Sequence, residues 1–158
     1  PEAAMVKALA TDFMSEAANH LAVLRGGEGY RADQAGFGGV IHAHPFRVFE
    51  GPNDVLFEQF GRERIKAAGT RDLTELLEGT GFRPSARTLE SLCAAHPEVE
   101  TQREIAAAGR VLGHAMAAGW AKEHAAGFEA DESALVERLA EQAIATLYAG
   151  LLVNREFA

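Results

Sequence analysis

One carboxylate in this sequence is placed where a general base could work. Glu50 follows a short apolar element, residues 46–49, and precedes a Gly-Pro pair that turns the chain sharply. The turn leads into a helix that either Asn53 or Asp54 could cap. A carboxylate buried between two apolar elements holds its proton more tightly than one in water, which suits a general base. An exposed Glu before a capped helix would show the same local pattern, so both interpretations stay open for this stretch alone.

The other reactive side chains form weaker patterns. His42 and His44 lie close together with His20 upstream, but no carboxylate or Cys stands at ligand spacing, so the sequence predicts no metal site. Ser91 and Cys93 lack a neighbouring His–acid arrangement for nucleophilic catalysis, and Cys93 is interpreted as an inert thiol in a helix. Because Cys93 is the single Cys of the sequence, an internal disulfide is excluded and a reducing, cytoplasmic location is expected.

Length and composition set the class of protein. A chain of 158 residues is long enough for one domain with a real core and too short for two comfortable ones. A net charge of −8 without a basic cluster argues against a nucleic-acid-binding surface. No apolar run approaches the length of a membrane span, and there is no signal-peptide pattern. The first residue is Pro rather than Met, and we interpret the sequence as part of a longer chain.

The elements that must position Glu50 are predicted to be helical throughout. Apolar periodicity and capping residues predict long helices over residues 2–24, 53–68, 98–126 and 132–154, and short ones over 72–78 and 85–95. Residues 28–45 carry five Gly or Pro without a sustained period, which predicts a loop with short helical turns. With no repeat and no linker, the predicted fold class is all-α, a helical bundle.

Two glycines in the predicted helix over 98–126 indicate close packing. Gly109 and Gly113 lie one turn apart, and together they cost a helix roughly 2 kcal/mol relative to Ala. We therefore expect a neighbouring helix to approach closely there.

The first and last helices carry more apolar surface than one small bundle can hide. The predicted core stripe of the first helix is Met5, Leu9, Phe13, Leu21 and Leu24, and a second apolar aspect runs through Val6, Ala10 and Met14. The last helix becomes apolar nearly all round toward its end. An interface with another subunit or domain, in a homo- or hetero-oligomer, is expected.

A paired motif connects Glu50 to a known family. Upstream of Glu50 stands Gly26-Gly27-Glu28-Gly29-Tyr30, and the two stretches together resemble the acyl-CoA dehydrogenase signature of GG-x-GY followed by (I/F)-EGT-N-(D/E). The spacing between Tyr and Glu fits that family without a gap, and residues 46–51 are most similar to its very-long-chain branch. The resemblance covers residues 5–65. It implies that residues 1–68 are part of the family's C-terminal helical domain and that residues 69–158 are a helical extension packed on it.

The resemblance also implies an activity, the FAD-dependent α,β-dehydrogenation of an acyl-CoA thioester. Glu50 stands at the position of the catalytic base. Gly26 and Gly27 match glycines whose backbone approaches the FAD of a neighbouring subunit, Gly51 follows the base, and Asp54 matches a side chain that helps to hold the adenosine end of FAD. The family's N-terminal helical domain and middle β-domain lie outside these residues, so this chain alone is expected to be inactive without them or a partner subunit that supplies them.

Three positions depart from the family pattern, and two of them, Pro52 and Val23, favour an alternative. Pro52 replaces the family's Thr, Val23 replaces its Gln, and Ile41-His42 replaces its Arg-Asp pair. The alternative is a diverged helical interaction or assembly module that has lost flavin binding. The yellow colour of a flavoprotein would discriminate between the two.

Overall fold

Helices make up the regular structure that surrounds Glu50. The computed structural model describes residues 2–33, 35–82, 99–124, 134–135, 138 and 141–146. Its helices are α1 (Glu2–Leu24), α2 (Ala35–Ala43), α3 (Asn53–Ala68), α4 (Leu73–Glu78) and α5 (Gln102–Glu123), with 3-10 turns at Gly26–Tyr30 and His44–Arg47. The described residues beyond 133 are also helical, and no strand occurs within the described residues. The all-α prediction is confirmed for this part of the chain.

The predicted ends of α1 and α3 are confirmed, while those of α5 are corrected. α3 ends at Ala68, and its C-cap Gly69 has φ of 72° and donates its backbone N–H to Ile65 O. α5 begins at Gln102 rather than at residue 98, because Thr101 and Glu104 form a capping box that fixes its first turn. It ends at Glu123 rather than at 126. The predicted helix over 85–95, with Cys93, and most of the one over 132–154 lie outside the described residues.

The prediction of a loop over residues 28–45 is wrong for α2. This helix forms although three of its nine residues are Gly, because tertiary packing overrides their poor helix propensity. A Cβ on Gly36 would lie 3.0 Å from Gly29 O and 3.2 Å from the Cα of Ala22. Glycine at position 36 therefore lets α2 contact α1 and the turn that follows it.

The closest helix crossing joins α3 to α5, as the glycines of α5 predict. A Cβ on Gly109 would overlap the carbonyl oxygen of Phe57, and one on Gly61 would lie 2.5 Å from Ile105 O. A Cβ on Gly113 would stand 3.0 Å from the Cγ of Met5, which brings α1 onto the same helix. Around this crossing lies the core, whose largest buried side chains are Met5, Phe57, Phe60, Leu73, Leu77, Val99, Val111, Leu112 and Ile144.

The predicted core stripe of α1 is corrected. Its buried residues are Met5, Ala8, Ser15 and Ala22, whereas Phe13 and Leu24 are 73% and 84% exposed and Leu21 is also exposed. From Met5 through Leu9 to Phe13 the predicted stripe advances by four residues at a time, and each such step drifts by roughly 40° around a helix with about 3.6 residues per turn. Phe13 therefore falls on the exposed side, next to Val6 and Met14. The second apolar aspect of α1 is exposed in the part of the chain that the structure describes.

None of the described helices is long and apolar enough to cross a lipid bilayer.

The close contact between α3 and α5 predicts that one added methyl group strongly lowers the stability of the fold. Gly109→Ala should lower the free energy of unfolding by about 3 kcal/mol or more, because the new Cβ meets backbone atoms that cannot rotate away. Gly38→Ala is the matched control in α2, where the nearest atom to the new Cβ is His42 Cδ2 at 3.9 Å. The control should be stabilised by up to about 1 kcal/mol. Urea unfolding measures the free energy of unfolding of both variants. Equal values would contradict the close contact between α3 and α5.

Candidate functional site

Glu50 stands at the tip of a sharply reversed turn between His44–Arg47 and α3. Its φ is +61° and that of Gly51 is +112°. A non-glycine residue in the left-handed region costs on the order of 1–3 kcal/mol and persists where its surroundings determine the backbone. The turn is closed by Gly51 N, which donates to Val48 O at 3.2 Å.

Pro52 connects this turn to α3. It is the N-cap residue, and its φ of −57° is the value that a proline ring enforces. Its carbonyl oxygen accepts hydrogen bonds from Val55 N at 3.0 Å and from Leu56 N at 3.1 Å. The proline that departs from the family pattern thus starts the helix, which needs no donor at this position.

The prediction that Asn53 or Asp54 caps α3 is wrong, because neither is the N-cap and no side chain caps the helix. The side chain of Asn53 is instead buried against α1. Its Nδ2 lies 3.1 Å from Ala8 O, 2.9 Å from Thr11 Oγ1 and 2.7 Å from Asp12 Oδ1. In a capping role the amide would bond within α3, whereas here it joins α3 to α1.

Lys7 reaches the same turn from α1. Its Nζ donates to Gly51 O and to Asn53 Oδ1, both at 3.0 Å. The residue that follows Glu50 is therefore tied to the first half of α1 by a charged donor, and charge-assisted hydrogen bonds are stronger than neutral ones.

A group of ion pairs surrounds the contact that joins α1 to the Glu50 turn and the start of α3, which we call the junction. Asp12 accepts from Arg47 Nε at 2.7 Å and lies 3.5 Å from Arg110. Arg110 also pairs with Asp54 at 2.8 Å and stands over the ring of Phe57, 4.7 Å from its centroid. The carboxylate of Asp54 nevertheless remains largely exposed.

Glu50 is exposed, so the described residues do not supply the burial that a general base would need. Its neighbours Phe46 and Phe49 pack edge to face, with centroids 6.0 Å apart, and both rings are also exposed. The turn therefore presents one carboxylate beside an uncovered apolar surface.

The two glycines of the upstream motif lie at the other end of α1. Gly26 has φ of +60°, and a Cβ on either Gly26 or Gly27 would meet nothing within 4 Å, so a ligand can approach their backbone. From Lys7 to Arg25 the helix axis runs roughly 27 Å, at a rise of about 1.5 Å per residue. The structure therefore does not bring Glu50 and the glycine pair together within one chain.

Gly29 is the glycine of this motif that packing requires, and its role is not predicted from the sequence. Gly29 is buried, and a Cβ there would overlap the carbonyl oxygen of Ala22. The role of Lys7 is not predicted either, because its partners lie more than forty positions away in the sequence. The third glycine of the motif was the available signal for Gly29, whereas Lys7 gave none beyond a charge on a largely apolar helix.

An open groove lies beside Asp54, between α3 and α5. Its volume is about 540 Å³, and its lining residues are Asp54, Val55, Glu58, Gln102, Arg103, Ala106, Ala107 and Arg110. Hydrogen bonds from Gln102 and then Arg62 lower the pKa of Glu58. Within the groove Asp54 pairs with Arg110, whereas Glu58 forms its ion pair with Arg62 outside the groove. Among the described residues no three His, Cys, Asp or Glu side chains are grouped to hold a metal ion.

The fold and the site define the class only as an all-α protein with a carboxylate on a strained turn. Comparison of the chain with protein-family models, curated proteins and solved structures finds no match.

Asn53 is expected to be the most sensitive residue of the junction. Asn53→Ala should cost about 1–3 kcal/mol, since it leaves buried partners on α1 without their hydrogen bonds. Asp54→Ala is the control next to it, and loss of its exposed ion pair should cost at most about 1 kcal/mol. Thermal and urea unfolding of the two variants would measure the difference. Equal losses would show that the Asn53 contacts stabilise the fold no more than the exposed ion pair of Asp54 does.

His114 gives the fold a dependence on pH. Burial lowers its pKa, and Arg110 lowers it further, against the smaller effects of Glu16 and Asp12. The unfolded chain binds this proton more readily, so stability is full above the unfolded pKa of about 6.5 and falls as pH drops through that value toward the lower folded pKa. Between about pH 7.5 and about pH 5, the Tm of the parent should fall more than that of His114→Gln. Parallel falls in a thermal melt would assign the pH dependence to other groups.

Proposed function

We propose that this chain carries the C-terminal helical portion of an FAD-dependent acyl-CoA dehydrogenase, with Glu50 as its catalytic base. The observation that carries the proposal is the turn itself. It presents a carboxylate in a strained backbone conformation where hydrogen bonds join α1 and α3. Such strain is typical of residues whose position matters for function. The paired motif of Gly26-Gly27 and Glu50 supports the same assignment.

The carboxylate of Glu50 has one task in the proposed reaction. It takes the proton from the α-carbon of an acyl-CoA thioester, as the bond between the α- and β-carbons becomes double. FAD, when bound, supplies the redox chemistry by accepting the β-hydrogen as hydride. An ionised carboxylate in a site closed to water is the group that α-proton removal needs.

The residues that would approach FAD are compatible with that role. The backbone at Gly26 and Gly27 is exposed with open space around it, which lets a large ligand approach main-chain N–H groups. Gly51 has a φ that L side chains rarely adopt, and Asp54 offers an exposed carboxylate. Because the glycine pair lies at the far end of α1, the two halves of the motif would serve different sites in an oligomer.

Two uncovered apolar surfaces support the need for a further domain or subunit. The first surrounds Glu50 and contains Phe46, Val48 and Phe49. The second is the exposed side of α1, with Phe13 and Leu24. Under the proposal, the flavin-cradling part of the site comes from chain outside these residues or from a partner subunit, and its docking would exclude water from Glu50.

The second candidate is a helical interaction module that reused this fold and lost the cofactor. The exposed apolar side of α1 favours it, since such faces mark interaction surfaces whether or not a cofactor is nearby. Flavin absorbance discriminates the candidates. The complete or partnered protein is yellow under the first proposal and colourless under the second.

Replacement of Glu50 tests the proposed function directly. In the complete enzyme, Glu50→Gln should retain FAD while the rate of flavin reduction by acyl-CoA falls by about 100- to 10,000-fold, because Gln keeps the shape but lacks the negative charge. Stopped-flow absorbance with a panel of acyl-CoA substrates measures this rate.

The matched control is Glu28→Gln, the nearest glutamate upstream of Glu50, which lies in the 3-10 turn at Gly26–Tyr30. It should reduce its flavin close to the parent rate. Should Glu50→Gln do the same with every substrate of the panel, the base lies elsewhere and the assignment is wrong.

A further inference from the structure

We infer that Lys7 is a positioning residue for Glu50. Its ammonium group holds the backbone of the Glu50–Gly51 turn at a fixed place on α1. This inference rests on the proposed function of Glu50 and adds to it a residue that the paired motif does not contain.

The contacts of Lys7 define this role. Its Nζ lies 3.0 Å from Gly51 O, the carbonyl immediately after the proposed base, and 3.0 Å from Asn53 Oδ1. One cation therefore joins the turn to the first residue of α3. Lys7 is only partly exposed, so these bonds are better shielded from water than those of a surface lysine.

Asn53, the second partner of Lys7, is held by several hydrogen bonds. It is itself buried and bonded to the three α1 residues Ala8, Thr11 and Asp12. Lys7 thus acts within a group that has little room to rearrange. A group held this way can transmit a backbone position to a neighbouring side chain.

The turn needs such a restraint. Glu50 and Gly51 both have positive φ, so the local chain preference of Glu50 opposes the observed conformation. If the restraint at Gly51 O is lost, the Glu50 backbone is free to relax toward negative φ and its carboxylate to move. A displacement of about 1 Å can lower a reaction rate about 100-fold without contact between the changed residue and the substrate.

The test compares Lys7→Met with Lys7→Arg in the complete flavin-loaded enzyme. Lys7→Met keeps the apolar stem and removes the donor. It should lower the rate of flavin reduction by about 10- to 100-fold and change the Kd of acyl-CoA by less than about 3-fold. Lys7→Arg can still donate to both oxygens and should recover most of that rate. Lys66→Met, at an exposed position near the end of α3, is the control for loss of one positive charge.

A second measurement reports the turn independently of catalysis. Hydrogen–deuterium exchange over residues 48–56 should be faster in Lys7→Met than in the parent and in Lys66→Met, while exchange in α5 stays unchanged. If Lys7→Met does not fold, Lys7→Gln becomes the decisive variant, because its shorter amide cannot reach both oxygens.

The outcomes separate this inference from the proposed function. If Glu50→Gln is inactive but the decisive Lys7 variant reduces flavin at the parent rate, the positioning role is overturned and the base assignment stands. If the rate falls equally in Lys7→Arg and Lys7→Met, the lysine acts in another way and the inference is overturned. If Glu50→Gln is fully active, the proposed function fails and the positioning role falls with it, whatever the exchange data show.

Discussion

The amide of Asn53, buried between α1 and α3, is the interaction on which the rest of the site depends. Three acceptors on α1 lie within 3.1 Å of its Nδ2, and Lys7 donates to its oxygen. A buried amide without partners would cost about 1–3 kcal/mol. A shift of α3 along α1 by one residue would break these contacts together. The amide thus fixes the register of the two helices, and with it the place where the Glu50 turn begins.

The close crossing of α3 and α5 supports this junction from the other side. Gly61 and Gly109 let the two backbones meet, which leaves no space for α3 to slide. Polar contacts therefore hold the turn on α1, packing against α5 holds the α3 helix that follows it, and the aromatic rings of the turn are exposed. A turn that is held on α1 and exposes aromatic rings to solvent is suited to bind the surface of another domain or subunit.

Local signals in the sequence predict some of these features and not others. The end of α3 was predicted correctly because Gly69 ends a helix by its own conformation. α2 was missed because Gly36 disfavours a helix locally and stabilises one only through its contact with α1. The sequence indicates Glu50 as a carboxylate at a turn, but it predicts the wrong contact for Asn53. Its partners on α1 lie over forty positions away, and no local pattern encodes them.

The length of α1 limits how one site could combine Gly26 with Glu50. It is one unbroken helix of 23 residues, about 34 Å long at a rise of about 1.5 Å per residue. Lys7 ties the Glu50 turn to its first half, and the Gly26–Tyr30 turn continues from its end. A site that combined the backbone of Gly26 with the carboxylate of Glu50 would therefore have to draw them from two copies of the chain. Under the proposed function, assembly is then a requirement of the chemistry, because α1 acts as a rigid spacer that holds the two halves of the motif apart.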